Sequence, residues 1–124
     1  MAIGFDLAAA EVALSLRKEL PEIKVVAVIP FEGMQKHFSA TQRSIFEKVT
    51  ADANEVITLA MYYSTSVYAL RNNYLVDNSS ACIAYFDGSK GGTAYTVRRA
   101  VKGLSYILNI YNNPQQKLDF SVEK

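Results

Sequence analysis

Lys24-Val-Val-Ala-Val-Ile29, an unbroken apolar run stopped by Pro30, is the segment that most limits the fold. A strand with one wet face alternates apolar and polar residues, so a run without alternation needs cover on both faces, as in a parallel sheet flanked by helices. The residues around it supply helical periods. Between Asp6 and Leu20, Ala9, Val12, Ala13, Leu16 and Leu20 recur at about 3.6-residue spacing, with Glu11, Ser15 and Lys18 opposite. Asp6 is placed to cap this helix and Pro21 to stop it.

The alternation continues to the end of the chain. Ser39 to Asp52 predicts a helix with Ile45 and Val49 inward, and Glu55 to Ala60 a short outer strand. Ser66 to Ser79 predicts a helix with Val67, Leu70, Tyr74 and Leu75 on one side, followed by a second buried strand over Ala81 to Phe86. Ala94 to about Lys102 is helical, with Ala94, Val97 and Val101 inward and Gly103 at the C′ position. Tyr106 to Tyr111 is the last strand; Met1 to Ile3 reads as a strand stub, and the chain is polar from Asn112 onward. The expected class is α/β, a mostly parallel sheet with helices on both faces. The 124 residues form one domain over 1–112 with a polar tail over 113–124.

Composition narrows the chemistry. Thirteen Lys and Arg against twelve Asp and Glu give no electrostatic case for gripping a nucleic-acid backbone. Apolar stretches such as Val25 to Phe31 fall far short of the ~20 residues that span a bilayer. The N-terminus has no basic region, and Asp6 and Glu11 interrupt its apolar residues, which argues against a secretory signal. A single cysteine, Cys82, excludes an intrachain disulfide and fits a reducing cytoplasm. His37 stands alone, so a transition-metal site has too few ligands and a surface or loop histidine is the simpler reading. Cys82 itself, mid-strand among apolar neighbours, reads as a buried inert thiol.

Ligands of open parallel sheets bind at the carboxyl ends of strands. Asp87-Gly-Ser-Lys-Gly-Gly-Thr93 occupies such a position and opens into a helix. Gly88, Gly91 and Gly92 allow backbone N–H groups to approach an anion, Ser89 and Lys90 lie between them, and Thr93 adds a hydroxyl. The order is not that of a P-loop, because Lys90 precedes the glycine pair. A plain glycine-rich turn with a helix cap remains the alternative. Gly4 and Asp6, and Glu32 in Pro30-Phe-Glu-Gly33, follow other strand ends; a turn and an N-cap are the simpler reading of the first two. Arg71 stands on the helix leading into the second buried strand, where an ordinary solvated arginine is the alternative to a ligand contact. Among the tyrosines, Tyr62 and Tyr95 fall near the ligand edge and can stack on a base, while most of the others serve packing.

Taken together, Gly4-Phe-Asp-Leu-Ala-Ala-Ala10, Val28-Ile-Pro-Phe-Glu-Gly33, Arg71-Asn-Asn-Tyr-Leu-Val-Asp77 and Asp87 to Val97 resemble the YpsA-like family of the SLOG superfamily, over Met1 to about Asn112. That superfamily includes the DNA-processing protein DprA and the LOG-type phosphoribohydrolases. The resemblance implies a Rossmann-like domain that binds a nucleotide or nucleotide-derived ligand, with no further cofactor required. It also implies an additional leading strand with a Gly-His-Arg motif, a helix and most of a second strand, which this sequence does not contain. The unpaired edge that results points to a homodimer or higher homo-oligomer.

Three functions follow from the resemblance. The first is a sensor or sequestering module in which Gly91, Gly92 and Thr93 hold phosphate, Gly4 and Asp6 shape the adjacent wall, and Arg71 or Lys90 neutralises charge. The second is a LOG-like nucleotide N-glycosidase. Arg71 matches the placement of that family's arginine, but Thr93 to Arg99 contains no carboxylate, so Asp6 or Glu32 would have to replace the missing glutamate. The third is a DprA-like regulatory protein associated with single-stranded DNA, for which the near-neutral charge gives little support.

Overall fold

The computed structural model describes residues 4–104 and 106–111. Its elements alternate as read from the sequence: α1 (Phe5–Glu19), β1 (Val26–Ile29), the 3-10 turn η1 (Met34–His37), α2 (Ala40–Asp52), β2 (Glu55–Thr58), α3 (Val67–Asp77), β3 (Ala81–Ala84), α4 (Gly92–Gly103) and β4 (Tyr106–Asn109). The strand stub at residues 1–3 and the tail from residue 112 lie outside the described residues. The class is α/β with short parallel strands. The strands form two parallel pairs, β1 with β2 and β3 with β4, and the chain divides into two compact units, Met1–Val67 and Tyr68–Lys124.

In the first unit β1 and β2 pair in register from Val26↔Glu55 to Ile29↔Thr58. Ala27 and Ile29 face one side of β1 and Val28 the other, and all three are buried; Val26, on the face of Val28, is 45% exposed, so the two-sided cover expected of the apolar run reaches only the latter part of the strand. β2 is largely exposed, as expected of an outer strand. Leu7, Leu14, Val25, Ile29, Met34, Phe46 and Val49 form the core, and α1 packs against α2. Burying a side chain such as Phe46 or Val49 contributes about 1.5–3 kcal/mol. Asn54, before β2, accepts hydrogen bonds from the Val25 N–H and from Arg17 Nη1, each at 2.8 Å, so one amide joins the end of α1 to the start of β1.

The helix ends and faces correct several expectations. Gly4 is the N-cap of α1, at φ 81° and ψ −119°, a conformation open to glycine; Asp6 lies inside the first turn, where a carboxylate complements the helix dipole. The buried line of α1 is Leu7 and Leu14 with Ala10 and Ala13 partly covered, whereas Val12 is 58% and Leu16 44% exposed. α1 carries apolar residues on two sides, around Val12 and Leu16 and around Leu7 and Leu14, and the residues of β1 and α2 in the same cluster select the second. In α2, Phe46 takes the inward position beside Val49, with Ile45 only half covered. Its N-terminus is a capping box. Ser39 Oγ accepts the Gln42 N–H at 3.2 Å, and Gln42 Oε1 accepts the Ser39 N–H at 3.0 Å.

The second unit has its own core of Val76, Ala100, Leu104 and Ile107, against which Cys82 and Val101 pack. β3 and β4 pair from Ala81↔Tyr106 to Ala84↔Asn109. β3 is not buried on both sides: Ala84 is covered, but Ile83 and Tyr85 on the opposite face are exposed. Continuous hydrophobicity here is satisfied on one side only. On α3 the buried residues are Val67, Arg71 and Val76, while Leu70 and Leu75 are exposed. Arg99 on α4 grips Asp77 on α3 through contacts of 2.9 and 3.1 Å from Nη2 and 3.3 Å from Nε. Gly103 is the last residue of α4 rather than C′; Leu104 ends the helix in an extended conformation, its N–H still donating to the Ala100 carbonyl.

Candidate functional site

The segment between β3 and α4 is built from local hydrogen bonds and glycine geometry. Phe86, just beyond β3, is clasped by the Asn109 side chain, which accepts its N–H at 3.1 Å and donates to its carbonyl at 2.8 Å. Asp87 Oδ1 then accepts the Ser89 N–H at 2.9 Å and the Ser89 hydroxyl at 2.6 Å, closing a turn at the loop entry. These bonds to Ser89 hold the Asp87 carboxyl below the ordinary aspartate range. Gly88 at φ 90° and Gly91 at φ 138° adopt backbone conformations that favour glycine.

Gly91 is the N-cap of α4, and no side chain caps this end. The N–H groups of the first turn have no carbonyl within the helix to meet, so they carry the positive end of the helix dipole. Gly92 differs from its neighbour. Its φ is not positive, and a Cβ built on it would meet no atom within 4 Å. Among the described residues, neither backbone strain nor packing calls for glycine there. Thr93 is exposed in the same turn and Lys90 is exposed beside it, while the Ser89 hydroxyl is turned to Asp87.

The remaining site residues of this unit and of the first are placed separately. Arg71 is not a solvated arginine: it is only 4% exposed, its Nε donates to Asn72 Oδ1 at 2.7 Å, and its guanidinium carbon lies 5.9 Å from the centre of the Tyr68 ring. In the first unit, Gly4 and Asp6 begin α1, and Glu32 follows β1. Leu7, next to Asp6, and Ile29 and Met34, on either side of Glu32, belong to one apolar cluster. The Glu32 N–H donates to the Ala60 carbonyl at 3.0 Å, and its side chain is exposed. The loop 88–93 therefore forms one continuous feature, whereas Gly4, Asp6 and Glu32 belong to the other unit.

Three features carried no sequence signal strong enough to mark them. Asn109 and Asn54 act by replacing backbone partners across the fold, and the edge-on contact of Phe31 with Tyr63, centroids 5.6 Å apart at 75°, joins residues distant in sequence. The capping box does have a local signal, Ser39-Ala-Thr-Gln42, that the reading of this helix did not use. His37 is exposed at the end of η1, and Cys82 is half-buried rather than fully enclosed. Among the described residues no helix is long and apolar enough to cross a membrane.

A family profile described as the YspA SLOG family, under the name YpsA, matches residues 1–110. Curated relatives include the SPbeta prophage-derived protein YoqJ of Bacillus subtilis, 33% identical over 113 residues that cover 82% of this chain and 66% of that protein. A UPF0398 protein of Bacillus velezensis is 31% identical over 103 residues, covering 81% of this chain and 57% of the relative. A UPF0398 protein of Bacillus licheniformis is 29% identical over 122 residues, covering 97% and 61% respectively. The chain thus spans roughly three fifths of the length of the relatives it matches.

Proposed function

Given that the chain belongs to the YpsA family of SLOG proteins, whose fold is Rossmann-like, we propose that it binds a nucleotide or nucleotide-derived ligand through the loop from Gly88 to Thr93. The observation that carries this reading is Gly92, a glycine at the uncapped start of α4 that no intramolecular constraint requires. A phosphate at that position would accept hydrogen bonds from the first-turn amides and from the Thr93 hydroxyl, with Lys90 supplying a mobile positive charge.

Binding is favoured over cleavage of the ligand. Hydrolysis of an N-glycosidic bond needs a carboxylate or equivalent base at the reacting carbon. The loop's own carboxylate, Asp87, is engaged twice by Ser89, and these hydrogen bonds lower its basicity, which suits a turn rather than proton transfer. We further propose a cytoplasmic protein that captures or senses its ligand and works as a homo-oligomer, in which a second copy covers exposed strand edges such as that of β2.

The test is a thermal-shift series with nucleoside mono-, di- and triphosphates, NAD, ADP-ribose and cyclic nucleotides, with product analysis on each ligand that stabilises. A ligand at 100 times its Kd adds about 2.7 kcal/mol. Stabilisation with the ligand recovered intact is the expected result. Recovery of free base and ribose phosphate would replace binding by hydrolysis, and no shift with any of these ligands would overturn the proposal.

A further inference from the structure

We propose that Tyr62 and Tyr63, beyond the carboxyl end of β2, form a stacking platform for a nucleobase, with the neighbouring Glu32 carboxylate placed to accept a hydrogen bond from an exocyclic amino group. The inference rests on the nucleotide-binding reading for the class of ligand, and on the first unit alone for its geometry.

β1 and β2 are parallel, so both finish at the same edge, and their hydrogen bonding continues past the last paired residues. The Leu59 N–H donates to the Ile29 carbonyl at 2.9 Å, and the Glu32 N–H donates back to the Ala60 carbonyl at 3.0 Å. That ladder sets Phe31 and Glu32 beside the segment from Ala60 to Tyr63. Phe31 meets the Tyr63 ring edge-on at 5.6 Å, which limits the orientations of a side chain that is otherwise 61% exposed. Tyr62 is 77% exposed and Met61 also projects into solvent.

A single exposed aromatic residue needs no explanation. Three large side chains in succession do, when they stand at the edge where parallel sheets take their ligands. The ligand they suit is a flat ring with polar edges. A tyrosine face stacks on the π surface of a base, as aromatic platforms do for single bases elsewhere. The exposed Glu32 carboxylate is an acceptor only, so it suits an exocyclic amino group, a donor, and disfavours a base carbonyl oxygen set opposite it.

The chain contains no tryptophan, so Tyr62→Trp creates a unique fluorophore on the platform. Adenosine and adenosine monophosphate should quench it, and ribose 5-phosphate should not. In the otherwise native chain, Tyr62→Ala should weaken adenosine monophosphate by roughly 5- to 150-fold, the range measured for loss of one stacked base, with an unchanged circular dichroism spectrum. Equal affinity in wild type and Tyr62→Ala, without quenching of the introduced fluorophore, would overturn the platform while leaving the nucleotide-binding reading intact. Failure of the wild type to bind adenosine monophosphate or any other nucleotide would overturn both. Quenching by a single-stranded oligonucleotide alone, or a changed oligomeric state in Tyr62→Ala at unchanged nucleotide affinity, would assign the patch to a different partner and also overturn the proposal.

Discussion

Asn109 pairs with Phe86 through its side chain as the next residue of a strand would through its backbone, accepting the Phe86 N–H at 3.1 Å and donating to the Phe86 carbonyl at 2.8 Å. Its oxygen also accepts the Tyr111 N–H at 3.1 Å. One amide thereby extends the β3–β4 pairing by one rung and fixes the backbone immediately before the glycine-rich loop. The turn at Asp87 starts from a held point rather than a frayed strand end.

Asn109→Leu should therefore destabilise the protein by about 1–3 kcal/mol, because partly buried backbone groups of Phe86 lose their partners without access to full hydration. The urea midpoint measures this. A loss below about 0.5 kcal/mol, the range of ordinary surface substitutions, would show that the clasp contributes little.

Leu14 and Leu16 separate the two apolar stripes of α1. Leu14→Ala removes a buried side chain and should cost about 2–5 kcal/mol, whereas Leu16→Ser should stay within about 0.5 kcal/mol. Chemical denaturation of the two variants decides which stripe faces the core. A larger loss at Leu16 would reverse the assignment.

Gly92 carries the proposed anion contact. Gly92→Ala should leave the free protein as stable as the wild type or slightly more so, since alanine favours a helix and its Cβ has space. Gly92→Val should remain folded and lose ligand stabilisation in the thermal-shift series. Undiminished stabilisation of a folded Gly92→Val protein by a nucleotide would remove the loop from the site.

Asp87 gives a pH-dependent readout. Hydrogen bonds from Ser89 depress its pKa in the folded state, so the associated stability is present above the ordinary aspartate value and is lost as pH falls through the lowered one. Ser89→Ala removes the hydroxyl, the larger contributor, and should move the Asp87 titration upward toward that of an unperturbed aspartate. Carboxyl chemical shifts followed through an acid titration test this; an unmoved midpoint would show that the backbone N–H of residue 89 alone sets it.

Much of the fold was legible because its signals are local. The apolar run ended by Pro30, the β-branched segment after Asn54, and the glycines and Asp87 at the head of α4 each act within a few residues of themselves. The loop from Gly88 to Thr93 is the proposed site, and it is contiguous, so its residues can be read in one line. Arg71 was harder, since an arginine on a helix is normally solvated, and only the packing around α3 shows it to be buried with Asn72 and Tyr68 as neighbours.

The sequence by itself determined the order and type of the main elements, the α/β class, and the glycine-rich turn ahead of α4, because propensity, capping and turn chemistry depend on near neighbours. Tertiary structure decided which stripe of α1 is core, that β3 is covered on one face only, that the strands of the described residues form two parallel pairs, and that Asn54, Asn109 and the Phe31–Tyr63 contact hold the strand ends. An apolar stripe states that a face can be buried, but the surface that covers it comes from residues far along the chain, and only the packed fold brings that surface to it.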